Sequence, residues 1–334
     1  MAGDRSNAPG GSIRGAQQVV AFGEAMIRFT PPGNERLERS ISLNLTVGGA
    51  ELNTAVGLAC LGYSTEWVSA LPDTGPGRMV ARHARANGVG VGHIRWVGED
   101  EGRTGVYFLE EGVDPRPSAV TYDRKDTAIS RVTTGSFDWG RILNGAAAFH
   151  LSGITLAISD GARAAAMDAV RVARQQGALV CFDLNYRSTL CSAKQAAAET
   201  RSILSHVDIL FVGDDELHVL TEETDPEAAG RALVALGVAE VVVKRGSIGA
   251  CAVTRADEVA HVDALSVDVI DTIGAGDSFV AGYLAARSHG LDIAGRLQWA
   301  TICAACTVGT AGDWEGLPTR AELERRAEPG YTSR

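Results

Sequence analysis

The segment Val269-Ile-Asp-Thr-Ile-Gly-Ala-Gly-Asp277-Ser-Phe decides how this chain is interpreted. The apolar run at 267–270 predicts a strand that enters a glycine turn, and a helix is expected to start near Gly276. A helix N-terminus offers free N–H groups and a positive dipole end, and glycine lets a phosphate approach the backbone. Asp277 could accept the proton of an attacking hydroxyl. On its own, the segment predicts a phosphoryl-transfer site and an Asp-capped helix equally well.

Length, charge and cysteine content limit the kinds of partner and the cellular location that the chain can have. The chain has 334 residues and a net charge of −10, which disfavours nucleic acid and anionic membranes as partners. No apolar run has the length of a membrane span. Six scattered cysteines do not resemble a disulfide scaffold, so a cytosolic protein is expected. Residues 1–17 are predicted to be a disordered leader, 18–326 the folded domain and 327–334 a flexible tail.

The order of apolar patterns indicates the fold class. After residue 146, short apolar runs at 147–151, 178–184, 207–212 and 240–244 alternate with helical patterns at 160–176, 193–206 and 226–236. This alternation predicts an α/β fold with a central, mostly parallel sheet and helices on both faces. The stretches at about 29–45 and 94–126 do not fit the rhythm. They predict a small β-rich lid inserted into the main domain.

The glycine segment closely resembles the C-terminal signature of the ribokinase-like (PfkB) family, D-T-x-G-A-G-D. A second segment, Val47-Gly-Gly-Ala-Glu-Leu-Asn53-Thr-Ala, is similar to the N-terminal glycine signature of the same family. Two signatures in the right order make coincidence improbable, and the resemblance extends over about residues 20–324. It implies a ribokinase-like fold, ATP and Mg²⁺ as cofactors, and a sugar or sugar acid as substrate. It also implies a possible homo-oligomer formed through the lid sheet.

The resemblance also implies roles for individual residues. The catalytic group would be the base Asp277 with the turn residues Gly274, Ala275 and Gly276. The substrate would contact Gly49, Asn53, Tyr122, Arg124 and Asp277. The nucleotide and its phosphates would lie along Asn185, Arg187, Gly213, Lys244, Gly246, Gly249, Gly274, Gly276 and Thr301. Glu216 would act on the magnesium ion through water.

Within the family the chain looks most like the kinases of 2-keto-3-deoxygluconate. The Arg124 guanidinium could bind the carboxylate of such a sugar acid with two hydrogen bonds. Four places depart from the family pattern. The Gly-Asp step that usually follows the first helix is replaced by Leu71-Pro-Asp73. Gly213 and Thr301 stand where asparagines are expected near the metal and the nucleotide. Asp123 lies between Tyr122 and Arg124, where it would repel an acid if it pointed inward.

Other classes of protein fit the motifs less well. A P-loop kinase is excluded because no glycine is followed by lysine, and no G-x-G-x-x-G follows a strand and opens a helix, as a Rossmann dehydrogenase requires. A kinase of a neutral sugar or nucleoside stays open, as does a sugar-binding protein without activity. Asp277 argues against the latter, because loss of this carboxylate is the simplest mark of an inactive kinase.

Overall fold

The structure, a computed structural model, describes residues 18–113, 115–328 and 330. The predicted leader and the end of the predicted tail lie outside these residues. The strands are β1 Val19–Phe22, β2 Met26–Thr30, β3 Asn44–Gly48, β4 Thr65–Pro72, β5 Ile94–Val97, β6 Val106–Glu110, β7 Ala119–Asp123, β8 Ala148–Ser152, β9 Leu179–Asp183, β10 Ile209–Gly213, β11 Glu240–Lys244, β12 Gly249–Thr254 and β13 Val259–Asp263.

The α-helices are α1 Ala50–Cys60, α2 Gly75–Ala86, α3 Trp139–Ile142, α4 Gly153–Ile158, α5 Asp160–Gln176, α6 Ala193–Ile203, α7 Leu217–Leu220, α8 Pro226–Ala235, α9 Ala275–Ser288, α10 Ile293–Val308 and α11 Arg320–Ala327. The helix α5 and the strand β11 have the bounds that the sequence pattern predicts. Most other predicted elements differ by a few residues at their ends, where pattern reasoning is weakest.

A large sheet forms the centre of the molecule, with the strand order β13-β12-β11-β10-β9-β8-β1-β4-β5. Neighbouring strands from β11 to β5 in this order are parallel, and β12 and β13 add an antiparallel edge. Side chains alternate between the two faces, so Val20 and Phe22 pack in the cluster that contains α5 and α8. Val19 packs in the cluster that contains α9 and α10. The predicted α/β class with both faces covered is therefore confirmed.

A second sheet of order β3-β2-β6-β7 lies beside the large one. Its strands come from the two parts of the chain that do not fit the βαβ rhythm, and β2 and β6 pair in parallel within it. The first part of the stretch at 94–126 does not belong to the small sheet. The strand β5 pairs with β4 in the large sheet, because Ile94 is buried in the cluster around Trp67.

The predicted strand at 267–270 is wrong. This segment pairs with no other strand, and the backbone N–H groups of Ile270 and Asp271 both donate to the Val308 carbonyl at the end of α10, at 2.8 and 3.2 Å. Val269 and Ile270 are 64% and 57% exposed. An apolar run of this length indicates contact with apolar surroundings, but it does not say whether a sheet edge is available to pair with it.

Among the described residues, no helix is both long and apolar enough to cross a membrane. All six cysteines are free. Cys303 and Cys306 lie one turn apart on α10, and the described part of the chain holds no group of metal-ligating side chains around them or elsewhere.

Candidate active site

A cleft of about 620 Å³ lies where the small sheet meets the carboxyl ends of β9, β10 and β11. Strand ends of a parallel sheet are the usual place for ligands in such folds. Each parallel strand brings the chain back to this edge, so side chains that are distant in sequence meet there. The predicted residues that line the cleft are Gly49, Asn53, Tyr122, Arg124, Asn185, Arg187, Gly213, Glu216, Lys244, Gly246, Gly274, Gly276 and Asp277.

The glycine turn begins the helix α9 from inside this cleft. Gly274 is the N-cap residue and has φ 79°, a left-handed conformation that glycine adopts without strain. A Cβ atom at Gly274 would lie 2.0 Å from the Asp313 carbonyl oxygen, so no side chain fits there. The first N–H groups of an α-helix have no acceptor within the helix, and Gly274 and Gly276 at the start of α9 line the cleft. The turn can therefore bind an anionic oxygen.

Asp277 lies in the first turn of α9 and is buried. Burial raises the pKa of its carboxyl group to about 7, against a hydrogen bond from Asn53 that lowers the pKa. Asp183 raises this pKa further, whereas Lys244 and Arg187 lower it. A carboxylate with a pKa near neutrality is better suited to accept a proton than an ordinary aspartate is.

Lys244 lies beside the turn at the end of β11. Its Nζ donates to both carboxylate oxygens of Asp183, at 2.9 and 2.7 Å, and lies 3.5 Å from the position of a Cβ on Gly276. Burial lowers the pKa of Lys244, but Asp183 and Glu216 outweigh this effect and leave the pKa raised. The lysine is therefore a cation that lies next to the glycine turn.

Glu216 connects two loops at the same edge. Its Oε2 accepts from the Gly213 N–H at 2.7 Å, and its Oε1 accepts from the Tyr186 N–H at 2.6 Å. Burial raises the pKa of Glu216, and Lys244 opposes this shift. The neighbouring Asn185 has φ 39°, an uncommon conformation for a residue other than glycine that often marks functional sites. Glu216 thus holds the loop that carries Asn185 and Arg187.

The opposite end of the cleft is formed by β7. The Arg124 guanidinium lies 5.7 Å from the centre of the Tyr122 ring and forms an ion pair with the buried Glu24 at 2.5 Å. Asp123 points to the other side of the strand and pairs with Arg103. The departure from the family pattern at Asp123 therefore places no negative charge in the cleft.

A second cleft of about 640 Å³ adjoins the first and shares Lys244, Gly246 and Gly276 with it. Its wall is mainly apolar, and it includes Val267 and Val269 from the segment that forms no strand. The remaining predicted residues line this cleft: Gly249, Ala275 and Thr301. The Thr301 Oγ1 is buried and has no hydrogen-bond partner. The mainly apolar lining fits a ring with apolar faces, such as a nucleobase.

Sequence reasoning missed three residues that line the first cleft, Glu24, Tyr107 and Asp313, and it missed Arg28, which binds Asp313. Asp313 accepts hydrogen bonds from Arg28 at 3.0 Å, from Tyr107 at 2.7 Å and from Asn53 at 3.2 Å. Of these residues, Asp313 alone lies in a short glycine-rich segment, Gly312-Asp313-Trp-Glu-Gly316, that the sequence could have marked. The others become visible only when the small sheet is in place.

The described geometry agrees with a comparison with known proteins. The family model of the pfkB family carbohydrate kinases matches residues 16–320. The chain belongs to this family. Family, ribokinase-like fold and enzyme class are thereby confirmed, and kinases of the PfkB family use ATP.

Three relatives illustrate the similarity. A 2-dehydro-3-deoxygalactonokinase from Haloferax volcanii is 36% identical over 92% of this chain and 96% of its own length. The crystal structure of a 2-dehydro-3-deoxygluconokinase from Thermotoga maritima has a TM-score of 0.87 and 30% identity, with 93% of this chain and 99% of that chain covered. A protein from E. coli described as ribokinase II, in complex with ATP and Mg²⁺, has a TM-score of 0.84 and 26% identity, with 92% and 98% covered.

The pKa of Asp277 has a consequence for stability. In the folded protein it is about 7, above the ordinary aspartate value of 3.8, so the stability that the neutral carboxyl group provides is lost as the pH rises from about 4 to 7. We expect Asp277→Asn to unfold at a higher urea concentration than the wild type at pH 8.5 but not at pH 4. Three pKa units correspond to about 4 kcal/mol, the upper limit of the gain.

The control for this measurement is Asp168→Asn, which removes an aspartate that is paired with Arg171 at the surface. Its stability relative to the wild type gives the effect of losing a surface carboxylate at each pH. Equal stabilities of Asp277→Asn and the wild type at both pH values would contradict the described electrostatics of Asp277.

Proposed function

We propose that this protein transfers the γ-phosphoryl group of ATP to a hydroxyl of a 2-keto-3-deoxy sugar acid, with 2-keto-3-deoxygluconate as the first candidate and its 6-phosphate as the product. One observation carries the proposal. A buried carboxylate with a pKa near 7, the amino end of α9 and the Arg124 guanidinium line the same cleft. The names of the relatives from H. volcanii and T. maritima point to the same class of substrate.

The proposed reaction is a direct in-line transfer. Asp277 takes the proton of the substrate hydroxyl as the oxygen attacks the γ-phosphorus, and the bond from that phosphorus to the β–γ bridging oxygen breaks and releases ADP. The N–H groups of the turn Gly274–Gly276 stabilise the negative charge on the transferred group. Lys244 adds a positive charge beside that turn. The small sheet covers the cleft, and closure over the substrate would keep water from the phosphoryl group.

ATP would place its base in the second, apolar cleft and its phosphates along the residues that the two clefts share. Asn185, Arg187, Gly213, Gly246, Gly249 and Thr301 are then nucleotide contacts of this proposal. Mg²⁺ favours sites built from phosphates, water and one or two carboxylates rather than closed protein cages. Glu216 fits the role of an indirect partner through water, and magnesium would neutralise phosphate charge when bound.

A neutral sugar is the second candidate substrate, and the Glu24–Arg124 ion pair favours it. Glu24 already compensates the charge of Arg124. However, Arg124 uses one Nη atom for this pair, and a guanidinium carries five N–H donors. The remaining donors can still bind a substrate carboxylate, so the acid stays the first candidate.

Two further features belong to the same proposal. The face of the small sheet that carries Phe29, Leu45 and Phe108 is partly exposed, with the two phenylalanine rings stacked at 5.4 Å, and a second copy of the chain could cover it. Free cysteines agree with a reducing compartment, so a location in the cytoplasm is proposed.

The role of Asp277 can be tested by the variant Asp277→Asn, which keeps the shape of the side chain but removes the base. We expect turnover to fall by about 10³-fold, within the range for loss of a general base, and the affinity for ATP to stay within about threefold. Turnover is measured as ADP release, and ATP binding by calorimetry. Asp168→Asn serves as the control, and near-normal turnover of Asp277→Asn would exclude the base assignment.

The role of Arg124 can be tested by Arg124→Ala. Loss of a charge-assisted pair of hydrogen bonds should lower kcat/KM for the sugar acid by about 100-fold, whereas a neutral sugar should lose less than about fivefold. Arg131→Ala, which removes a surface arginine paired with Asp126, is the control. If Arg124→Ala lowers kcat/KM equally for the sugar acid and the neutral sugar, Arg124 does not recognise a carboxylate.

A further inference from the structure

Arg28 is a buried cation that lines neither cleft. It lies on β2 of the small sheet, is 2% exposed and directs its guanidinium toward the large domain. Its Nε donates to the Thr30 Oγ1 at 3.0 Å on the same strand. Its Nη atoms donate to Asp271 at 2.5 Å, to Asp313 at 3.0 Å and to Glu111 at 3.4 Å.

The two shorter of these carboxylate contacts join two loops of the large domain. Asp271 is the first residue of the Asp-Thr-Ile-Gly-Ala-Gly-Asp segment, and its Oδ1 accepts from the Ile273 N–H at 3.0 Å. Its Oδ2 also accepts from the Gly312 N–H at 3.2 Å. Because Asp313 follows Gly312, the Arg28 guanidinium holds the glycine turn and the Gly312–Asp313 loop to the small sheet with one planar group.

A continuous path leads from Arg28 to Asp277. The Asp313 Oδ2 accepts from the Asn53 Nδ2 at 3.2 Å, and the same nitrogen donates to the Asp277 Oδ2 at 2.7 Å. An amide nitrogen has two hydrogens, so Asn53 can serve both carboxylates at once. The Gly49 N–H donates to the Asn53 Oδ1 at 3.1 Å and fixes the direction of the amide.

We propose that Arg28 is a positioning residue that couples the small sheet to Asp277 through Asp313 and Asn53. The position of the small sheet then determines the direction in which the Asp277 carboxylate points. The inference rests on the proposed role of Asp277 as the base. It adds that the base is aligned only when β2 is seated on the large domain, so proton transfer is linked to coverage of the cleft.

The charges of the cluster support this function. Burial opposes the positive charge of Arg28, but Asp313 and Asp271 outweigh it and raise the pKa of the guanidinium. Burial raises the pKa of Asp313, and Arg28 counters that shift. The other groups that face Arg28 are Glu111 and Tyr107 from the small sheet, and those that face Asp277 are Asp183, Lys244 and Arg187.

Without Arg28, Asp313 and Asp277 would be two carboxylates bridged by a single amide with one cation fewer nearby. Such a pair loses its second proton at higher pH than isolated groups do. Removal of Arg28 should therefore move the acidic limb of the activity profile upward, in addition to misaligning the base. A role of Arg28 in folding alone would produce neither effect in the folded fraction of the variant.

The test compares Arg28→Met with Arg28→Lys in the full-length enzyme, with the concentration of folded sites set by calorimetric titration with ATP. For Arg28→Met we expect kcat to fall about 100-fold at pH 7, KM for ATP to change less than about threefold, and the acidic limb to rise by about one pH unit. Arg28→Lys should return the acidic limb of the pH profile to its wild-type position, because it restores the positive charge. It should keep a loss in kcat, because one ammonium cannot bind both carboxylates in a fixed geometry.

The matched control is Arg116→Met, which removes another arginine near the small sheet, paired with Glu110 at 2.7 Å. It should leave both kcat and the pH profile unchanged. If Arg28→Met does not fold, Thr30→Val replaces it, since this isosteric change removes only the acceptor that orients the guanidinium. We expect a smaller loss in kcat, about fivefold, with a shift of the limb in the same direction.

A folded Arg28→Met, or in its place Thr30→Val, with unchanged kcat and an unchanged acidic limb would overturn the coupling. The outcome of Asp277→Asn separates this failure from that of the proposed function. If Asp277→Asn is inactive while the Arg28 variants are normal, the base assignment stands and only the coupling is wrong. If Asp277→Asn is active, the base assignment itself is wrong.

Discussion

The burial of the Asp277 carboxylate at the amino end of α9 is the constraint on which the site depends. Burial alone raises the pKa of a carboxyl group, whereas a helix N-terminus and the Asn53 amide favour the ionised form. The balance places the pKa of Asp277 near 7, where a group can both accept and release a proton. The position of Gly274 under the Asp313 backbone keeps the turn in contact with the rest of the site.

A second theme is that the main cations of the site are already paired with carboxylates. Lys244 binds Asp183, Arg124 binds Glu24, and Arg28 binds Asp271 and Asp313. The pairs of Lys244 and Arg124, which line the cleft, hold positive groups there in fixed positions in a protein with a net charge of −10. They also lower the attraction of the cleft for anions in general, so recognition depends on geometry more than on total charge.

The sequence was sufficient for the fold class and for much of the site, for reasons that differ between elements. The period of the alanine-rich pattern predicts α5, and the glycines with Asp277 mark the turn, because both features are local in sequence. Every predicted site residue lines one of the two clefts, although their roles are still predictions. The run at 267–270 was misread as a strand, because its apolar side chains line the nucleotide-sized cleft instead of a sheet. Arg28 and Tyr107 could not be found, since an arginine or tyrosine within a short strand gives no sign of partners at Asp271 or Asp313.

The central claim is that this protein phosphorylates a ketodeoxy sugar acid. The most direct test measures ADP release with Mg-ATP for 2-keto-3-deoxygluconate, its galactonate epimer, 2-keto-gluconate, fructose, ribose and adenosine, with the position of the new phosphate determined by phosphorus NMR. The account predicts that the two ketodeoxy acids have the highest kcat/KM and carry the phosphate on the terminal hydroxyl. A preference for fructose, ribose or adenosine would contradict the substrate assignment and leave the kinase fold and Asp277 in place.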